Sequence, residues 1–348
     1  MSNPLKVVDI SKPTAEISGP LLEAARLQGF LFVDGHDFSQ DEVDALFDLS
    51  KQFFTETPAE VKSQYAIKSN NIGYTHFTNE QLDPRKARDF KEAYNFGNIN
   101  FKTGDFNLDD STFNGDSRTG SDNHENPVPE VFEKQHDLIS KTVQKLHATA
   151  TRILQVISIA LEVENPEFFT DRHRPDEASG CVFRMLRYPL TRNDEVDTES
   201  YDATIRAGAH TDYGSLTLLF QREGQQGLQL QTGDTHDTQS EGWAEVPFVG
   251  SQHQGQAPPL VVNFGDLLSY WTAGVLKSTL HRVKFAPGET RERDRYSIVF
   301  FVHPEHATEL VPVPSKLVAE NSMGKTPPTI TAAEHLQQRL QATYESNA

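Results

Sequence analysis

"GAHTDYGSLTLLFQ", residues 208–221, decides how this chain is read. A strand-like run of Ser, Thr, Leu and Phe is led in by His210 and Asp212, residue types that do not favour strand interiors. Successive strand residues point to opposite faces, so residues i and i+2 share one, about 6.6 Å apart at a rise of about 3.3 Å per residue. At that spacing both side chains can reach one metal ion. With 13 His and 50 acidic residues in the chain, an isolated H-x-D also arises by chance, as a turn-capping Asp beside a surface His.

A second histidine moves the balance. "STLHRV" (278–283) places His281 at the head of another strand, after "GDLLSYWTAG" (265–274). Two His and one carboxylate, with no Cys among them, form the set that leaves open positions on non-haem Fe(II), and zinc accepts the same three ligands. "RYSIVFFVHP" (295–304) separates the two, because Arg295 and Ser297 again share a face. A guanidinium fork beside a hydroxyl suits the carboxylate of a small co-substrate, which a hydrolytic zinc site does not need. The competing pair His303 and Glu305 has no later His followed by R-x-S. His136 and His147 read as packing or surface residues of a long helix; the run Asp89, Lys91, Glu92 offers substrate contacts but reads more readily as a solvated face or inter-domain pair.

The rest of the chain sets the frame. "VVDI" (7–10), "GPLLEAARLQ" (19–28) and "GFLFVDG" (29–35) read as strand, helix, strand. Ser39 with Glu42, and Thr57 with Pro58 and Glu60, mark two helix starts. Residues 102–128 have the composition of a loop, and 129–163 carry the strongest helical pattern. Short strands with turn punctuation follow, the signature of a β barrel or sandwich rather than a wound βαβ sheet. The tail ends in a helix started at Thr331, with Leu336 and Leu340 on one face. The net charge of −18 repels phosphate backbones and anionic membranes, so neither nucleic acid nor membrane is expected as a partner. One cysteine, Cys181, rules out an intrachain disulfide and reads as a small buried hydrophobe. With no long apolar run and no signal-like start, the expectation is a soluble cytoplasmic protein.

Together, H-x-D, H-R-V and R-x-S before "FF" resemble the 2-oxoglutarate and Fe(II)-dependent oxygenases of the isopenicillin N synthase-like family. "RMLRYP" (184–189), "GLQL" (227–230), "WAEV" (243–246) and "VVNFGDLLSYWTAGVLKSTLHRV" (261–283) extend the resemblance. "NIGYT" (71–75) and "DFKEAYNFG" (89–97) carry it to the N-terminal part. It implies a mixed α/β, mainly β fold with a double-stranded β-helix (jelly-roll) core flanked by helices. The implied division is an N-terminal region 1–105, a loop and supporting helix 106–177, a catalytic core 178–305 and a helical tail 306–348. It also implies Fe(II) on His210, Asp212 and His281, and 2-oxoglutarate on Arg295 and Ser297 with Tyr188 nearby. Tyr74, Tyr213 and Phe301 are the implied substrate contacts. The reaction implied is oxidation of a small organic molecule by O2, with succinate and CO2 as co-products. An oxidase working without 2-oxoglutarate, and a non-catalytic jelly-roll binding protein, are the alternatives. The departures from the family are polar insertions at 232–242, 250–259 and 287–294.

Overall fold

The computed structural model describes residues 5–77, 89–109, 112, 125–189, 205–232, 242–285, 294–324 and 327–344. The chain opens as β1 (Val7–Asp9), α1 (Thr14–Leu27) and β2 (Phe30–Asp34), with the two strands parallel. The start of α2 (Gln40–Glu56) is the expected reciprocal cap: Ser39 Oγ accepts from the Glu42 amide at 3.2 Å, and the Ser39 amide donates to the Glu42 carboxylate at 2.9 Å. The second cap differs. Thr57 closes α2, and Pro58, with no side-chain acceptor, precedes α3 (Ala59–Ser63). The helical stretch divides into α4 (Glu130–Glu133) and α5 (His136–Ala160), because Gln135 leaves helical geometry at φ −114° and ψ 24°. At the start of the polar excursion before it, residues 101–104 form a turn closed by an isolated bridge from Asn100 to Asp105.

The strands assemble into two sheets. The larger holds β1, β2, β10 (Leu260–Phe264), β7 (Leu216–Leu219), β12 (Arg295–Val302), β5 (Val182–Tyr188), β4 (Glu92–Phe96) and β3 (Gly73–Thr75), in that order. The smaller holds β6 (Ile205–His210), β11 (His281–Lys284), β8 (Leu228–Gln231) and β9 (Trp243–Glu245). Short helices α6 (Asp266–Trp271) and α7 (Lys316–Asn321) follow β10 and β12, and α8 (Ala332–Tyr344) ends the described chain. Strands from the first hundred residues share the larger sheet with those of 182–302: β2 pairs with β10, and β4 with β5. The expected jelly roll with flanking helices is the observed architecture. Residues 233–241 and 286–293, within two of the insertions, lie outside the described residues.

Period-two alternation gives the larger sheet two different faces. On β12, Tyr296, Ile298, Phe300 and Val302 join the main apolar core with Ile153, Leu154 and Ile157 of α5. Arg295, Ser297, Val299 and Phe301 face the opposite way, into a cavity of about 180 Å³ between the sheets. On β5, Phe183 and Met185 enter the core while Arg184, Leu186 and Tyr188 line the cavity. Burial on both faces explains why β12 reads as a continuous apolar run. Among the described residues no helix is long and apolar enough to cross a membrane.

Candidate active site

His210 ends β6 and His281 begins β11, and the antiparallel register sets them directly opposite each other. Their ring centroids lie 4.4 Å apart. Each ring holds its Nδ1 against the backbone carbonyl two residues earlier, His210 on Gly208 at 2.7 Å and His281 on Thr279 at 3.1 Å. A carbonyl only accepts, so each Nδ1 carries the proton and each Nε2 presents a lone pair. Asp212 Oδ2 accepts from Thr217 Oγ1 and Asn263 Nδ2, both at 2.7 Å. Its Oδ1 lies 3.8 Å from His210 Nε2 and 3.7 Å from His281 Nε2. Three acceptor atoms thus converge within 4.8 Å of one another, an arrangement that a cation satisfies. This donor set fits Fe(II).

Electrostatics agree with the geometry. Burial, reinforced by competition with the neighbouring His281 ring for a proton, pushes the His210 imidazole well below its ordinary range and keeps it neutral for a metal. Burial alone would raise Asp212. His281, His210 and the bonds from Thr217 and Asn263 outweigh that effect and hold its carboxyl below the ordinary range. The turn that aims Asp212 is clamped from below: the Asp266 amide donates to Asp212 O at 2.7 Å, and the Gly265 amide to Ser215 O at 3.0 Å. The backbones pass so closely that a Cβ on Gly265 would stand 2.3 Å from Gly214 O.

Arg295 and Ser297 stand where the sequence predicts, on one face of β12 and nearly buried. Arg295 Nε donates to the carbonyls of Gln225 (2.8 Å) and Gln226 (3.2 Å), its Nη1 to Ser297 Oγ at 2.6 Å, and its guanidinium lies 5.1 Å over the Tyr188 ring. Leu186, Ala207, Val283 and Val299 form an apolar strip in the same cavity. A cation at one end, a metal-ligand set at the other and an apolar strip between them match a short dicarboxylate that chelates metal through its 2-oxo end.

Of the implied substrate contacts, Tyr213 and Phe301 line the cavity. Tyr74 does not. Its hydroxyl donates to Glu92 Oε2 at 2.6 Å, in a buried network where Glu92 also meets Lys62 and Arg187 at 2.8 Å each. Asp89, Lys91 and Glu92 are likewise no solvated face: all are buried, Asp89 pairs with Lys91 at 3.0 Å, and Lys91 lines the cavity. Glu305 turns to Arg174 at 2.6 Å, away from His303. His147 stacks on Phe101 and His136 on Phe106, as packing residues do. Cys181 is buried, as expected. The sequence reading missed Asn71, Asn95 and Arg184 on the cavity wall, and missed that Leu336 and Leu340 of α8 also line it. Period-two spacing back from Tyr188 was the available signal for Arg184.

Comparison with known proteins agrees with this geometry. Residues 5–112 match the family model described as non-haem dioxygenase in morphine synthesis N-terminal, and 179–304 match that of the 2OG-Fe(II) oxygenase superfamily. The chain is 30% identical to the 2-oxoglutarate-dependent dioxygenase gloE of Glarea lozoyensis, over 88% of this chain and 81% of that one. A 2OG-Fe(II) oxygenase family structure from Caulobacter crescentus superposes with a TM-score of 0.74 at 29% identity, covering 98% of this chain and 99% of that one. A full-length Neurospora crassa protein, solved in complex with alpha-KG and thymine, shares the fold with a TM-score of 0.73 at 24% identity, over 97% and 96% of the two chains. Relatives named for 2-oxoglutarate dependence favour neither an oxidase without that co-substrate nor a non-catalytic binding protein. This chain belongs to the 2OG-Fe(II) oxygenase superfamily and is a non-haem dioxygenase that uses Fe(II), 2-oxoglutarate and O2.

Proposed function

We propose that His210, Asp212 and His281 hold the Fe(II), that Arg295 and Ser297 take the distal carboxylate of 2-oxoglutarate with Tyr188 beside them, and that Tyr213 and Phe301 wall the substrate. The convergence of two Nε2 lone pairs and one carboxylate oxygen carries this reading. Fe(II) bound there, with 2-oxoglutarate and O2, supplies the oxidative decarboxylation to succinate and CO2 that drives oxidation of a substrate C–H bond. The chain's own residues bind, orient and exclude water. Gly208 O and Thr279 O fix which nitrogen of each histidine faces the metal. Thr217 and Asn263 hold one carboxylate oxygen of Asp212 so that the other stays directed at the metal.

The division of labour follows the sequence boundaries: residues 178–305 supply the metal and co-substrate ligands, 1–105 add cavity wall, 106–177 support the sheet, and 306–348 cover one side. The substrate is a small organic molecule and the setting cytoplasmic, with neither nucleic acid nor membrane as partner, a reading supported by the small size of the cavity, about 180 Å³, and by the acidic chain. Thymine, the ligand of the Neurospora relative, is of the size class proposed. Replacing Asp212 by Ala tests the metal set. Loss of stoichiometric Fe(II) from a folded protein is expected, and full retention would refute it.

A further inference from the structure

Strand register divides the cavity wall into rows. Ala93, Leu186 and Ser297 lie across from one another on β4, β5 and β12. Two residues along, on the same face, come Asn95, Arg184 and Val299. The first row includes the proposed co-substrate hydroxyl. The second stands about 7 Å farther along the strands and carries two polar groups that the co-substrate reading does not use.

Asn95 is 1% exposed. Its Nδ2 donates to Asn71 O at 3.0 Å and to Asn71 Oδ1 at 3.2 Å. Since the Asn71 carbonyl only accepts, the amide orientation is fixed with nitrogen toward Asn71 and oxygen turned away. That oxygen, Oδ1, is a buried acceptor with no hydrogen-bond partner among the described residues. Folded proteins rarely keep such an atom without a use for it. Both residues line the cavity, as does the guanidinium-bearing Arg184 directly across from Asn95. The flat rings of Tyr213 and Phe301 line it too.

We propose that Asn95 and Arg184 are the specificity-determining pair for the substrate, and that the substrate is a cyclic amide. Oδ1 of Asn95 accepts from the ring N–H, and the Arg184 guanidinium donates to the adjoining carbonyl oxygen. Paired residues on neighbouring strands sit about 5 Å apart, which matches a donor and an acceptor on adjacent atoms of one small ring. Aromatic walls favour a planar ring over a flexible chain. The assignment rests on the oxygenase reading above, since it presupposes that the Arg295 end is taken by 2-oxoglutarate.

The test uses full-length protein loaded anaerobically with Fe(II) and 2-oxoglutarate, watching the visible charge-transfer band of the chelate during titration. The probes are thymine, which has two ring N–H groups, and 1,3-dimethylthymine, which keeps both carbonyls and donates nothing. Thymine is expected to shift the band, and its dimethyl counterpart to need at least ten-fold more. Asn95→Leu is expected to raise the half-saturating thymine concentration at least ten-fold, while Asn95→Asp, which keeps an acceptor, raises it less than three-fold. Both variants should form the parent chelate at the parent 2-oxoglutarate concentration, which certifies their fold. A parent chelate that millimolar thymine leaves unshifted, equal binding of the two probes, or parent-like thymine binding by Asn95→Leu overturns the assignment. Failure of the parent to form the chelate at all instead overturns the co-substrate reading on which it stands, a distinct result.

Discussion

Asp212 works as a ligand because of what holds its other oxygen. Thr217 and Asn263 occupy Oδ2, so Oδ1 alone is presented to the two histidines. Removing both donors, as Thr217→Val with Asn263→Leu, leaves the ligand in place but unsteered. Fe(II) affinity is expected to fall about 10- to 100-fold, the usual effect of losing partners behind a ligand, as measured by competition with a chelator. Parent-like affinity would show that Asp212 needs no support. The residues legible in the sequence were those whose chemistry is rare in a strand and whose spacing is two: His210 with Asp212, and Arg295 with Ser297. Asn71, Asn95 and Arg184 were not legible, because common polar residues announce no chemistry until register shows which face they occupy. Tyr74 misled for the same reason, since its ring was read without knowing that Glu92 would claim its hydroxyl.

At the scale of elements, Glu92 of β4 ties three neighbours together. It meets Lys62 of α3, Tyr74 of β3 and Arg187 of β5, with Glu92 fully buried and Lys62 nearly so. Glu92→Leu strands the Lys62 ammonium, at a cost of about 3–5 kcal/mol in unfolding free energy by urea titration. Adding Lys62→Met should recover part of that loss, because the orphaned charge goes with it. A double variant no more stable than Glu92→Leu alone would place the loss elsewhere. Helix α8 is the second element with a function in view: Arg339 bonds Thr211, pairs with Asp266 and lies over Tyr213, while Leu336 and Leu340 meet the cavity. The sequence showed that Leu336 and Leu340 share a face. Which surface that face covers is a tertiary fact that no local pattern contains.

Over the whole molecule, buried histidines among the described residues outside the metal set couple stability to pH: burial lowers His36, and it lowers three others further. Burial lowers His147, His173 and His335 to about 4 each. Their unfolded value is about 6.5, so between pH 6.5 and 4 the unfolded chain binds more protons than the folded one. Stability is therefore full above about pH 6.5 and is lost as pH falls toward 4. By pH 5.5 the loss is roughly 1 kcal/mol for each histidine, and His147→Gln should flatten the slope in denaturant titrations at pH 7.5 and 5.5. An unchanged slope would mean that His147 charges freely in the fold.

The oxygenase chemistry depends on one relation across the cavity, a metal set at one end and a carboxylate-binding cation at the other. The direct measurement is anaerobic: Fe(II) and then 2-oxoglutarate are added to metal-free protein while the visible charge-transfer band of the chelate is followed. The parent should form the band, and Arg295→Gln should need at least ten-fold more 2-oxoglutarate, since each charged hydrogen bond lost is worth about 1.5–3 kcal/mol. Bound iron without a band in the parent, or a band in Arg295→Gln at the parent's 2-oxoglutarate concentration, would contradict the roles given to these residues.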